Sequence, residues 1–240
     1  MEKITNKHHT DFLKELEKHA GQGTKYQAER DKSYIGSSKF SYNIKTPIKK
    51  QIVKNWIKKH PRISISEYVE LLNSLYSGES HDERSIAGKL LKFLPRLRRQ
   101  VDPILLKKWL NNAEGWAEVD SICQSNFSAE EILSNWDVWR KMITDFSTDK
   151  NIHKRRASLV LLTSPVRQSI DSRLAKLAFE DIERLKGEKD ILITKAISWL
   201  LRDLIKNHKG DVKSYLDRNK NSLPKIAVRE TTRKLLTGRK

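Results

Sequence analysis

Along most of the chain, apolar residues return every three or four positions, the period of helices with one buried face. Over 48–57 that face is Ile48, Ile52, Val53, Trp56 and Ile57, with Thr46 as N-cap and Pro47 at the first helical position. Ile65, Tyr68, Val69, Leu72 and Leu75 define 65–76. Ile86, Leu90, Leu91 and Phe93 define 85–94, and Leu105, Leu106, Trp109 and Leu110 define 104–110. A helix is predicted to start near Trp116. Another, from Ser128, carries Ile132, Trp136, Trp139 and Ile143, with Ser128 and Glu131 spaced as a capping box. Further helices are predicted over 153–163, 171–186, 190–207, 211–219 and 224–236, with Gly187 and Gly210 as stops. No run alternates with the two-residue period of a half-buried strand.

Turn formers are too few for a sandwich or barrel, since 240 residues hold only 9 glycines and 6 prolines. An all-α chain follows. Its helical pairs recur roughly every 35 to 45 residues without a crisp signature, as in a solenoid of degenerate HEAT-like repeats. Such a stack curves, and its concave face suits an extended ligand. No composition break marks a boundary, so a single domain over 1–240 is expected, with residues 1 to about 24 peripheral or partly ordered.

Charge narrows the partner. The net charge is +18, and residues 151–240 carry +12 of it, from 22 Lys+Arg against 10 Asp+Glu. An excess of this size points to a polyanion, because each phosphate neutralised by Lys or Arg releases condensed counterions. Solubility alone needs far less. An anionic membrane surface is the competing partner, but the longest apolar run, Leu159–Leu162, is too short to span a bilayer. The start of the chain is polar, without a signal-peptide core, and a cytoplasmic location is expected. A single cysteine, Cys123, excludes an internal disulfide and suits a reducing compartment. The seven histidines are scattered apart from His8–His9, and no Cys/His cluster has zinc spacing. No metal or cofactor is expected.

Several clusters carry candidate chemistry. Lys195, Trp199, Arg202 and Lys206 share one helical face, beside the apolar stripe of Ala196, Ile197, Leu200, Leu201, Leu204 and Ile205. Such a face stacks against nucleic acid while its cations hold phosphates, or else it is a core edge with solvated charges. Lys225, Arg229 and Arg233 repeat the pattern at intervals of four. Lys154, Arg155 and Arg156 open an apolar helix, where cations oppose the macrodipole; a bound phosphate would compensate them, and a solvated charge run is the alternative. Trp116 and Asp120 lie four apart on one face, with Cys123 on the same side. From spacing alone, Asp120 is as easily a salt-bridge partner or a cap.

Five stretches in order carry a family likeness: YIGSSKFSYNIKTP (34–47), WAEVDSIC (116–123), NIHKRRA (151–157), KAISWLLRD (195–203) and LPKIAVRE (223–230). Together they resemble the AlkD family of bacterial DNA alkylation-repair glycosylases. The resemblance implies a right-handed superhelical solenoid with a concave basic face for double-stranded DNA containing alkylated bases, acting as a monomer. It assigns Asp120, Trp116 and Trp199 to catalysis. Arg156 and Tyr34 line the same cleft, and Lys154, Arg155, Lys195, Arg202, Lys206, Lys225, Arg229 and Arg233 are placed on DNA. The implied reaction hydrolyses the glycosidic bond of 3-methyladenine or 7-methylguanine without flipping the base. The chain departs from the family at Gly115, where a first tryptophan is frequent, and at His153-Lys154. A non-catalytic binder of branched or distorted DNA, or a protein-binding scaffold, is the alternative on the same framework.

Overall fold

A computed structural model describes residues 6–21 and 34–239. Of the N-terminal stretch expected to be peripheral, residues 1–5 and 22–24 lie outside the described residues. The fold is all-α. Among the described residues there are thirteen helices: α1 (Lys7–Lys18), α2 (Thr46–Lys59), α3 (Ile65–Tyr76), α4 (His81–Phe93), α5 (Pro95–Arg98), α6 (Leu105–Asn111), α7 (Gly115–Cys123), α8 (Ala129–Ser134), α9 (Trp136–Ser147), α10 (Ile152–Gln168), α11 (Ser172–Leu185), α12 (Ile191–Asn219) and α13 (Lys225–Thr237). The extended pairing among them is a single bridge, Phe40 with Ser80. No described helix is long and apolar enough to cross a membrane. The chain divides into two compact units, Met1–Ile122 and Cys123–Lys240.

The first unit is built around α3 and α4. Tyr68, Leu71, Leu72 and Leu75 of α3 and Ile86, Leu90 and Leu91 of α4 are fully buried, joined by Phe12 and Leu16 of α1, Ile52, Val53 and Trp56 of α2, and Trp109 of α6. Capping boxes at Ser64/Glu67 and Ser80/Glu83 start α3 and α4. The first turn of α4 holds two buried acids, favoured there by the helix dipole. Asp82 takes Lys49 Nζ at 2.8 Å and the Tyr42 N–H at 2.7 Å, and so fixes the segment before α2. Glu83 takes His9 Nε2 at 2.7 Å, docking α1.

In the second unit α10 is central and packs on α9, α11 and α12, while α13 lies along α12. Every residue from Arg156 to Val166 is buried. Asn135 breaks the helix expected to run on from Ser128, leaving α8 and α9. Gly210 does not stop a helix. The segments expected over 190–207 and 211–219 form one long α12, bent at His208, where φ is −132° and ψ is 41°. Gly210 is solvent-exposed, and the roughly 1 kcal/mol it costs a helix is outweighed by burial of Val212, Tyr215 and Leu216.

Asp181 of α11 is fully buried, with Arg184 Nη1 at 2.6 Å from one oxygen. The neighbouring hydroxyls of Ser147 and Ser158 donate instead to the carbonyls of Thr144 and Arg155. Burial pushes the Asp181 carboxyl up to about 7 from 3.8, against the pull of Arg184. The folded state therefore favours the protonated acid. Its stabilising contribution is full below about 3.8, the unfolded value, and is lost as pH rises through about 7. Asp181→Asn, which stays neutral, is expected to be more stable than the parent at pH 8 by about 2 kcal/mol and no more stable at pH 4. Thermal unfolding at the two pH values checks this. Parallel pH profiles for the two proteins would refute it.

Candidate nucleic-acid interface

Helix α7 carries the first part of the candidate site. Trp116 is half-buried and Asp120 is 8% exposed, both on this nine-residue helix. The indole Nε1 donates to the main-chain carbonyl of Tyr34 at 2.7 Å. The Tyr34 ring meets the indole edge-on, with centroids 5.2 Å apart and planes at 82°. Tyr34 is itself 69% exposed, so the pair presents an aromatic face to solvent. Of the predicted site residues in this unit, the structure therefore brings Tyr34 onto Trp116 and sets Asp120 one turn further along the same helix.

Two close approaches position α7. Gly115 has φ +64°, and a Cβ there would lie 2.0 Å from the Ile35 carbonyl oxygen and 2.7 Å from Gly36. Only glycine meets both demands. The departure noted at Gly115 thus has a local cause, because the backbone at 35–36 occupies the space where a side chain would begin. On the other side, a Cβ on Gly88 of α4 would fall 2.3 Å from the Ser121 carbonyl oxygen. Glycine at 88 allows α4 and α7 to touch backbone to backbone.

Between Trp116 and Asp120 sits Glu118, which the sequence reading passed over. It is 1% exposed and accepts from Ser37 Oγ and the Glu114 N–H, each at 3.0 Å. Lys39, His81 and Arg84 surround it at 3.6, 3.7 and 3.4 Å. Burial raises its carboxyl, but hydrogen bonding to His81 and the Arg84 charge outweigh this, so it lies below the ordinary value. The stability it contributes is complete above about 4.5 and is lost as pH falls through the folded value. Nearby, Lys39 first, then the Ser38 N–H, hold Glu114 down to about 2. This cluster ties the 37–39 segment and α4 to the helix bearing Trp116 and Asp120.

In the second unit the predicted cations divide by environment. Lys154 is buried, with Nζ 3.0 Å from Asp149. Arg155 makes a two-point pair with Glu188 and donates to the carbonyls of Asp149 and Lys150. The compensation expected from a bound phosphate at the start of α10 is thus supplied within the fold by Asp149 and Glu188. Arg156 is buried and donates to the Leu192 carbonyl at 2.7 Å. Arg202 pairs with Glu230 at 2.9 Å. Lys195, Lys206, Lys225, Arg229 and Arg233 are exposed along α12 and α13.

Half-buried Trp199 lines a groove of about 420 Å³ with Arg167, Asp203, Lys206 and Lys234. Arg167 Nε stands 3.4 Å from Asp203. Arg167, Asp203 and Lys234 were not singled out in the sequence. The Trp199–Asp203 interval, equal to that of Trp116–Asp120, was the available signal. The groove combines an indole face with three cations, which suits an anionic, partly aromatic ligand.

A family model described as DNA alkylation repair enzyme matches residues 12–235. The fold is similar to a solved structure described as a predicted DNA alkylation repair enzyme from Enterococcus faecalis. The TM-score is 0.72 at 17% identity, covering 90% of this chain and 98% of that one. A search of curated proteins returned no match.

Proposed function

The chain belongs to the DNA alkylation repair enzyme family, and on that premise we propose that it is a monofunctional DNA glycosylase releasing 3-methyladenine and 7-methylguanine from duplex DNA. The observation that carries the reading is a buried carboxylate, Asp120, one helical turn from a tethered indole in a chain of net charge +18. A carboxylate is a poor neighbour for the DNA backbone unless it has a cationic target. N3- and N7-alkylation supply one, since the modified purine is positively charged and its glycosidic bond already weak.

As the base leaves, the sugar takes on oxocarbenium character. In this reading Asp120 stabilises that cation and orients the attacking water, within a low-dielectric setting where its charge acts strongly. Trp116, and separately Trp199 in the second unit, are the indoles assigned to hold the cationic nucleotide through their quadrupoles. Arg156 binds a backbone phosphate, and exposed Lys195, Lys206, Lys225, Arg229 and Arg233 extend the phosphate contacts. Tyr34 supports Trp116. An outward-facing aromatic pair fits work from the backbone side on a base that stays stacked. Lys154, Arg155 and Arg202 fall outside the proposed phosphate set, because carboxylates of the fold already neutralise them.

The test is incubation of the purified protein with methylated duplex DNA, with chromatography of the released bases. Release of 7-methylguanine, with duplex affinity falling steeply as salt rises, is the expected result. Salt-dependent binding without release would replace the glycosylase with the non-catalytic DNA binder. Weak binding with little salt dependence would favour a protein scaffold.

A further inference from the structure

His8 and Asp11 are three residues apart on α1 and face the same way. His60 caps the C-terminal end of α2. One ligand-capable atom from each of the three lies within 4.8 Å of the other two. His8 is 6% exposed, and its Nδ1 is buried with no hydrogen-bond partner among the described residues. An orphaned buried ring nitrogen calls for a ligand. His60 Nδ1 lies 2.9 Å from the Trp56 carbonyl, which can only accept, so the proton sits on Nδ1 and Nε2 keeps its lone pair. A main-chain carbonyl of this kind fixes the tautomer of metal-binding histidines. Stacking on Trp56 at 4.4 Å and edge contact with His8 at 4.7 Å hold the His60 ring.

We propose that His8, Asp11 and His60 bind a divalent transition-metal ion of the zinc class, with water in the fourth position. Two imidazoles and one carboxylate suit zinc or cobalt, whereas magnesium and calcium take all-oxygen sets. Zinc–nitrogen bonds of about 2.0–2.1 Å put tetrahedral ligand atoms about 3.3 Å apart. Closing from at most 4.8 Å needs a relative movement of no more than about 1.5 Å, of a size that side-chain torsions accommodate. Asp11 and His60 also line a groove of about 720 Å³ together with Trp56 and Lys14, Lys18, Lys58 and Lys59. These lysines weaken attraction for a cation, against Asp11, Glu15 and Glu67, so binding is expected to be micromolar rather than tight. The ion would clasp α1 to the end of α2. Forty-nine positions separate Asp11 from His60, so no spacing motif betrays the set in the sequence.

The test is titration of the full chain with Co²⁺ at pH 7, followed by displacement with Zn²⁺. One equivalent is expected to give the visible absorption of tetrahedral cobalt. Zn²⁺ at about a hundredfold its Kd should raise Tm by roughly 5 °C. Asp11→Ala, which alters an exposed position, and His60→Gln should each weaken binding at least about tenfold. Absence of both the cobalt band and the Zn²⁺-dependent rise in Tm would overturn the proposal. So would unchanged cobalt affinity in Asp11→Ala.

Discussion

Asp120→Asn is expected to slow release of 7-methylguanine by about 10²- to 10³-fold, the range seen when one preorganised group opposing transition-state charge is removed. The substitution keeps the size and shape of the side chain and removes only the charge. Binding of unmodified duplex should change by no more than about threefold, because phosphate contacts rather than base-edge groups set that affinity. Single-turnover release assays with matched binding curves measure both quantities. If release stays within about threefold of the parent while the protein remains folded, Asp120 is not the reacting group. A fall in release that merely tracks a fall in duplex binding would point to a role in docking.

Glu118→Ala is expected to destabilise the first unit by about 3–5 kcal/mol, because removing one member of a buried ion cluster strands the others. Arg84 is 2% exposed and loses its nearest carboxylate. Lys39 keeps Glu114 at 2.8 Å, but Ser37 and the Glu114 N–H lose their acceptor. The corresponding fall in Tm is roughly 10 °C. Glu118→Gln keeps one acceptor oxygen, enough for the Glu114 N–H, but loses the second acceptor and the charge, and should fall between parent and alanine variant. Exposed Glu79→Ala should lie within about 0.5 kcal/mol of the parent. Equal effects from Glu118→Ala and Glu79→Ala would show that the cluster contributes nothing. The first unit should also be the acid-sensitive one, since the Glu118 contribution disappears as pH falls below about 4.5.

Much of the fold was legible because local signals agreed. In α3 the apolar period points to one helix, and α3 spans the predicted 65–76. Helix α1 was hidden because two of its four inward positions are His8 and His9, which read as polar until Glu83 and Ser74 are seen to satisfy the second. Within the site, the Lys-Trp-Arg-Lys stripe of α12 could be read from spacing, although Arg202 proves to be tied to Glu230. Glu118 could not be read that way. Its partners Lys39, His81 and Arg84 lie 34 to 79 positions upstream, and no window along the chain contains them together. The pair Lys154-Arg155 was the opposite case. The charges were plain, but neutralisation by Asp149 and Glu188 depends on the packing of α10 against the segment after α11.

The Trp116 indole is anchored to the main chain of Tyr34 rather than to its side chain. Any residue type that keeps the same backbone can supply that carbonyl. Position 34 can therefore vary across evolutionary time without releasing the tryptophan. The exposed ring of Tyr34 and the bond that orients the indole reside in one residue but are separable. Substitution can change the first while the second persists.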